Sequence, residues 1–324
     1  MIFGGPAAIA MPPILILVAG IALIVGALVG GWLTTAIERL PWEQSPIWPC
    51  RRKPGTLEPM PWRGYLPWIG PFLVGGPPDR LRRGLAVELV TGGVFAAFAL
   101  VETTAWLAGD SRLDSLDRLA AQLVFDALLV SVLIVATFID WEHQIIPSPI
   151  TDVGMAGGLI LGTIFPFVRP APETAASWSE GLLTGLHGLA VGGGIVLVTR
   201  ILGGVVFRRE AMGLGDLTLL AAIGSFLGWR AAILTFFGSA FVGLGHSLFK
   251  ILSWLFKTLA GRPTTRRDRE MALGPYLALA ALLIALNWQW VWNDLARFYF
   301  EELGMVWLFV VHGADVPPLV DPRP

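Results

Sequence analysis

The chain has 324 residues, of which 55% are hydrophobic and only 15% charged, and its mean hydropathy is +0.68. This density of apolar residues excludes an ordinary soluble domain and predicts a polytopic membrane protein. The formal net charge of -1, without a basic stripe interleaved with aromatic residues, predicts no nucleic-acid partner. The single cysteine, Cys50, excludes an internal disulfide, and four scattered histidines without paired spacing predict no metal site.

Eight apolar segments follow one another along the chain, so we expect an all-α fold with about eight transmembrane helices. The first lacks a basic region before it and exceeds the apolar core of a signal peptide, so we interpret it as a transmembrane helix. The predicted spans are 13–37, 84–108, 119–139, 149–168, 181–207, 216–228, 230–256 and 272–287. The sixth is short for a full crossing, and the sequence defines its boundary with the seventh least well.

The segments outside the spans divide the chain into a membrane domain, residues 1–288, and an acidic tail, residues 289–324. Residues 39–83 form a loop rich in proline, tryptophan and arginine. Proline at this density argues against regular helix, and tryptophan favours a position against the membrane interface. The apolar stretch 305–311 in the tail is too short to span a bilayer, so we interpret it as interfacial.

Lysine and arginine are distributed unequally between the two sides of the predicted spans. Fifteen fall on the side that receives the 39–83 loop, and six fall on the other side. Because cytoplasmic loops carry the excess of basic residues, this asymmetry places the loop in the cytoplasm and both termini outside. Asp140 and Asp216 then both lie at the cytoplasmic face, although neither residue entered the count.

Asp140 and Asp216 are acids at the mouths of two apolar helices. Asp216 follows Gly213 and Gly215, and glycines allow a tight turn or the close approach of another segment. Asp140 ends the third span and is followed by Pro147, which favours an extended turn before the next helix. A carboxylate in this setting is costly and functional by default, although an aspartate at a helix start can also simply cap backbone N–H groups.

Two carboxylates brought together cannot easily both ionise, so one holds a proton while its partner stays charged. Such a pair can activate water and protonate a leaving amine, which is the chemistry of aspartic proteases. The alternative use of paired intramembrane acids is ion or proton transport. Transporters usually place such acids near the midplane between repeats, whereas these stand at helix mouths beside the cytoplasm. That position favours hydrolysis of a substrate presented from the cytoplasm.

Other acids in and beside the spans receive different interpretations. Asp126 precedes Asp140 by fourteen residues, about 21 Å along one helix, so it cannot join the same pair. Glu102 is expected to hydrogen bond between helices. Glu142 and Glu210 flank the two acids, and they are candidate contacts for a basic peptide or simply solvated residues.

Several short motifs stand in order along the chain. Asp140 precedes Ile146-Pro147, and the second acid stands in Met212-Gly-Leu-Gly-Asp-Leu217. Further motifs are Leu220-Ala-Ala-Ile-Gly-Ser-Phe-Leu-Gly-Trp229, Arg39-Leu-Pro41 and Gly274-Pro-Tyr-Leu277. In this order and on eight spans they resemble the type IV prepilin peptidase family of membrane aspartic proteases. The resemblance covers most of the chain before about residue 287.

The resemblance implies a membrane aspartic endopeptidase with Asp140 and Asp216 as catalytic residues, and with Gly213, Gly215 and Pro147 as supporting residues. Its partners would be the lipid bilayer and prepilins or pilin-like secretion subunits, whose short basic leader it removes. Cleavage would take place at the cytoplasmic face of the inner membrane. Many relatives also methylate the new N-terminus with S-adenosylmethionine, whereas proteolysis itself requires no cofactor.

The sequence departs from the family pattern at two functional positions. Relatives often carry two Cys-x-x-Cys pairs in the first cytoplasmic loop, where this chain has only Cys50. This predicts no structural zinc and leaves methyl transfer open. Thr218 stands where relatives usually have a lysine.

Presenilin-type proteases also use Gly-x-Gly-Asp, but they carry a Pro-Ala-Leu motif near the end, which this sequence lacks.

Overall fold

The computed structural model describes residues 12–42, 68, 78–170, 174–208, 212–259, 272–297 and 300, and the regular structure within them is helical. The longer helices, in chain order, are α1 (Pro13–Arg39), α2 (Pro78–Leu107), α3 (Leu116–His143), α4 (Ser148–Ile164), α5 (Trp178–Phe207), α6 (Leu214–Leu227), α7 (Trp229–Leu259) and α8 (Gly274–Leu286). A short helix α9 (Trp288–Trp290) and a π-helical segment (Val291–Ala296) follow α8. The all-α polytopic fold is therefore confirmed.

The number of complete crossings is smaller than predicted. Among the described residues, five helices are long and apolar enough to span a bilayer, and a bent pair formed by α8 and residues 288–296 gives a sixth if it is one span. Helix α4 has 17 residues and α6 has 14. A 14-residue helix is about 21 Å long, less than the roughly 30 Å of a bilayer's hydrocarbon core. All eight predicted segments are helical, but eight full spans are not confirmed.

The boundary between α6 and α7 lies where the sequence analysis placed it. Helix α6 ends at Leu227 and α7 begins at Trp229. Gly228 between them has a φ of 88°, a left-handed conformation that glycine adopts without steric strain. The glycine therefore ends α6 and lets α7 leave in a new direction.

Helix α6 lies inside the bundle. Residues 219–227 are all buried, and α6 packs against α4, α5 and α7. Gly188 of α5 and Gly224 of α6 face each other so closely that a Cβ on either would collide with the carbonyl oxygen of the other. The helices packed around α6 fix the position of this helix, and they therefore fix the position of Asp216 near its N-terminus.

Arg169 links three helices at the end of the bundle opposite Asp216. Its side chain is fully buried and donates hydrogen bonds to the carbonyl oxygens of Gly158, Gly162, Gly181 and Ser225 at 2.7–3.3 Å. These acceptors belong to α4, α5 and α6. Gly162 and Ser225 lie in the last turns of α4 and α6, where carbonyls lack partners within the helix and carry the negative end of its dipole, so a guanidinium satisfies them well. Gly181 lies in the first turn of α5. Arg169 thereby ties three helices together.

The described part of the tail packs against the start of α7. Trp292 stacks on Trp288 at 5.8 Å and on Phe300 at 5.9 Å between ring centroids. The guanidinium of Arg230 lies 5.5 Å from the Trp292 ring and 4.5 Å from the Trp229 ring. The division of the chain at residue 288 stays a prediction, and the interfacial stretch 305–311 lies outside the described residues.

Candidate active site

Asp140 lies in the last turn of α3 and is only 5% exposed. Its Oδ2 accepts a hydrogen bond of 2.9 Å from the backbone N–H of Gly274. Gly274 is the first residue of α8, and the N–H groups at a helix start lack intrahelical partners and form the positive end of the helix dipole. The N-terminus of α8 therefore orients the Asp140 carboxylate.

Asp216 is the third residue of α6. Its Oδ2 accepts a hydrogen bond of 3.3 Å from the backbone N–H of Gly213, the residue that precedes the helix. The capping role that the sequence analysis considered as the simpler explanation is therefore present. It does not exclude chemistry, because the bond occupies one carboxylate oxygen and the second acid lies nearby.

The structure brings the two acids together at one end of the bundle, where their carboxylates interact electrostatically. Ile146 packs between the start of α6, which carries Asp216, and the start of α8, whose Gly274 bonds Asp140. A Cβ on Gly215, next to Asp216, would lie 2.8 Å from the Ile146 Cβ, and a Cβ on Gly274 would lie 3.2 Å from the Ile146 Cδ1. The two glycines allow α6 and α8 to approach the same side chain closely.

The connection from α3 to α4 places Ile146 in this position. Gln144 ends α3 in a left-handed conformation with φ 56°, and its N–H donates to the Asp140 carbonyl oxygen at 2.9 Å. Pro147 is extended, with φ -66° and ψ 131°, and α4 begins at Ser148. Proline fixes φ near this value, so the predicted extended turn is confirmed. The supporting role of Pro147 in the site stays a prediction.

An ion-pair cluster closes the same end of the bundle. Arg83 of α2 bonds Glu38 of α1 at 2.6 Å and Glu142 of α3 at 2.8 Å. The Glu142 side chain is 29% exposed, whereas that of Glu38 is 6% exposed. Glu142, a candidate substrate contact by sequence, is thus half-buried, two residues from Asp140, and already paired with an arginine.

His246 lies near the same end of its span as the two acids, so by sequence it could line the site or be structural, but sequence reasoning did not identify its contacts with Trp141 and Tyr276. The His246 ring of α7 lies 5.7 Å from the Tyr276 ring and 6.4 Å from the Trp141 ring, measured between centroids. Trp141 follows the first acid directly, and Tyr276 stands two residues after Gly274. The motif around Gly274 was the available signal, but a motif alone does not indicate that a backbone N–H reaches an aspartate on another helix.

Several predicted residues lie elsewhere. The Thr218 hydroxyl donates to the Gly215 carbonyl oxygen at 3.0 Å, within its own helix. Asp126 is buried on α3 and lines a cavity at the far end of the bundle, so it is not part of the pair. Glu210 and Cys50 lie outside the described residues. The expectations about substrate contact at Glu210 and about zinc near Cys50 stay predictions.

The comparisons with known proteins agree with this geometry. Residues 127–248, which include both acids, match the type IV leader peptidase family. A Myxococcus xanthus protein named prepilin leader peptidase/N-methyltransferase is 32% identical over 216 residues, 65% of this chain and 56% of that relative. A Klebsiella pneumoniae protein of the same name is 31% identical over 218 residues, 64% of this chain and 83% of that relative.

An Aeromonas hydrophila protein of the same name is 28% identical over 257 residues, which is 78% of this chain and 73% of that relative. No solved structure matches the chain. The match to the family model and the 31% identity across most of the Klebsiella relative agree with the paired acids at one end of the helical bundle. The chain therefore belongs to the type IV leader peptidase family.

Proposed function

We propose that this protein is a membrane aspartic endopeptidase that removes the short basic leader from type IV prepilins or pilin-like secretion subunits. The observation that carries the proposal is the approach of Asp140 and Asp216 at one end of the bundle, where Gly274, which bonds Asp140, and Gly215, next to Asp216, both pack against Ile146. The names of the relatives support the substrate class. None of the relatives described above is named as a transporter, the alternative that paired acids left open.

The proposed mechanism uses the two carboxylates with one proton between them. The charged carboxylate takes a proton from a water molecule, whose oxygen attacks the carbonyl carbon of the scissile peptide bond. The protonated partner donates its proton to the leaving nitrogen as the carbon–nitrogen bond breaks. The Gly274 N–H holds Asp140, and the Gly213 N–H holds Asp216, so both acids are oriented before the substrate binds.

The assay that tests this function uses the purified full-length protein and a prepilin with its leader. Mass spectrometry of the products should show loss of the leader and a new N-terminus at the start of the apolar stalk. An intact prepilin after prolonged incubation with folded protein would contradict the proposal. Vesicles that show acid-dependent ion flux without cleavage would favour the transporter alternative.

Methylation of the new N-terminus is a separate part of the proposal. The relatives' names include N-methyltransferase activity, which would require S-adenosylmethionine as methyl donor. We assign none of the described residues to this cofactor, and no step of the proteolysis uses it. The same mass-spectrometric assay with S-adenosylmethionine added distinguishes a methylated from an unmethylated terminus.

The proposed location is the inner membrane, with the two acids facing the cytoplasm. We expect a cysteine at Gln144, beside Asp140, to react with a membrane-impermeant reagent only after the cells are opened. A cysteine at Asp114, whose side chain is 57% exposed at the opposite end, should react in intact cells. Both variants are made in a Cys50→Ser background, because Cys50 is the only native cysteine. The reverse labelling pattern would overturn the orientation.

Glu142 is proposed to contact the basic leader, and Glu142→Gln should raise the KM for the leader peptide by about fivefold with little change in kcat. The expected size follows from one partly exposed charge pair, worth about 1 kcal/mol or less. Glu38→Gln is the matched control, since it removes the other acid on Arg83 at a side chain only 6% exposed. An equal rise in KM for both variants, measured by steady-state cleavage, would assign the effect to the Arg83 cluster.

A further inference from the structure

A large cavity lies at the end of the bundle opposite Asp140 and Asp216. Its volume is about 1140 Å³. Its walls come from the C-terminal end of α2, the N-terminal half of α3, the segment after α4 and the junction between α8 and α9. Pockets for small organic ligands typically measure about 300–1,000 Å³. The cavity is therefore large enough for a molecule, and the proposed proteolysis makes no use of it.

Glu102, Gln122 and Asp126 stand together in the wall of this cavity formed by α2 and α3, and each carries a hydrogen-bond acceptor. Gln122 is 4% exposed, and its Nε2 donates to both carboxylate oxygens of Asp126 at 3.2 Å. Its Oε1, like Oε2 of Glu102, is buried and has no hydrogen-bond partner among the described residues. A buried acceptor without a donor costs about 1–3 kcal/mol. The walls of the cavity therefore leave two buried acceptor oxygens without a hydrogen-bond donor.

The charges around the cavity favour a cation. Arg112 at the rim bonds Asp110 through two nitrogens, at 2.8 and 3.2 Å to Oδ2, so these two charges largely offset each other. Glu102 and Asp126 line the cavity together, and a cation bound between these two acids favours the charged form of both. Within the described part of the chain no group of three or more acidic, histidine or cysteine side chains is placed to hold a metal ion. A cation that carries its own N–H donors therefore fits the cavity better than a metal ion does.

The cavity wall also contains aromatic side chains that can contact a cation. Trp288 and Trp290 line the same cavity. The face of an indole ring attracts ammonium groups, with a contribution of about 0.5–2 kcal/mol that depends on solvent exposure. Tryptophan is also enriched at the head-group level of membranes. Both properties suit a cationic head group at this end of the bundle.

An apolar groove adjoins the cavity on the outside of α1, α2 and α3. Its volume is about 300 Å³, and Phe98 and Asp126 line both the groove and the cavity. Ile21, Val25 and Val124 along the groove are exposed, as expected of side chains that face lipid. One molecule can therefore place a charged head in the cavity and a hydrocarbon chain in the groove.

We propose that the cavity and groove together bind a lipid with a primary ammonium head group. The ammonium donates its N–H groups to Glu102, Gln122 and Asp126, and an acyl chain lies in the groove. A lipid with a quaternary ammonium head carries the same charge but no N–H donor. It would leave the Gln122 and Glu102 oxygens unsatisfied and should bind more weakly.

The experiment compares phosphatidylethanolamine with phosphatidylcholine of identical acyl chains. The purified full-length protein is incubated with each lipid in detergent, and native mass spectrometry counts the lipid retained. We expect phosphatidylethanolamine to be retained at least about tenfold more than phosphatidylcholine, since two unsatisfied acceptors separate them. Free ethanolamine is the third probe, and at the lipid's concentration it should compete poorly, because it lacks the chain that fills the groove.

Variants test each half of the site. Glu102→Gln combined with Asp126→Asn should reduce phosphatidylethanolamine retention about tenfold, whereas Asp114→Asn, an acid at the same end that does not line the cavity, should not. Val124→Trp fills the groove from its exposed side and should lower retention without changing the polar groups. Thermal unfolding confirms that each variant is folded.

Equal retention of the two lipids would overturn the proposal. So would unchanged retention of phosphatidylethanolamine in both the double variant and Val124→Trp. Should the double variant fail to fold, the comparison of lipids on the unaltered protein and the Val124→Trp result still decide. Competition by free ethanolamine as strong as by the lipid would assign the cavity to a soluble amine and contradict the role of the groove.

Discussion

Asp140→Asn and Asp216→Asn are each expected to lower kcat/KM for leader cleavage by about 10³-fold or more, equivalent to about 4 kcal/mol. Asparagine has the size of aspartate, and its amide oxygen can still accept the N–H of Gly274 or Gly213. It cannot take or hold the catalytic proton. The fold should therefore survive while the chemistry stops. Steady-state cleavage of a prepilin in membranes measures the first effect, and thermal unfolding checks the second.

Two further variants make this test specific. The double variant Asp140→Asn/Asp216→Asn should be nearly as impaired as either single variant, because residues that act as one unit are not additive. Asp126→Asn removes another buried acid from the same helix α3, about 21 Å away by helix rise, and should keep leader cleavage in membranes within about twofold. Near-normal cleavage by either single variant of the pair would show that the acids are misassigned.

Gly274→Ala is expected to lower kcat/KM by about 10²-fold with little change in stability. The added Cβ would lie 2.6 Å from Oδ2 and 3.2 Å from Cγ of Asp140, so the carboxylate has to move. A displacement of about 1 Å in a catalytic group can reduce the rate by about 10²-fold. Alanine is a better helix former than glycine, so the helix itself is not weakened. Cleavage kinetics and thermal unfolding of the same preparation separate the two effects.

Gly238→Ala is the matched control for this variant. It adds the same methyl group on α7, where the nearest atom, the Ala280 Cβ of α8, lies at an ordinary 3.6 Å. Its activity should stay within about twofold of the unaltered protein, since ordinary contact requires no movement. Gly215→Ala, whose Cβ would lie 2.8 Å from the Ile146 Cβ, should resemble Gly274→Ala. Full activity of Gly274→Ala would contradict the close approach of α8 to Asp140.

The sequence by itself determined the local features of this protein. Apolar length identified the eight segments that are helical, and glycine and proline marked their limits at Gly228 and Pro147. These features depend on neighbouring residues and on backbone preferences, which a single sequence displays directly. The alternation of the predicted spans also placed Asp140 and Asp216 at one end of the bundle, where the structure has them.

The tertiary structure decided how the site is held. Asp140 receives its N–H donor from Gly274, 134 residues away, and Arg83 joins acids on two other helices. It also decided that α6, at 14 residues, lies buried within the bundle and falls short of a full span. Such contacts depend on how each helix is rotated and which helices it packs against. Local hydropathy does not encode either property, because residues far apart in the chain supply the contacts that select them.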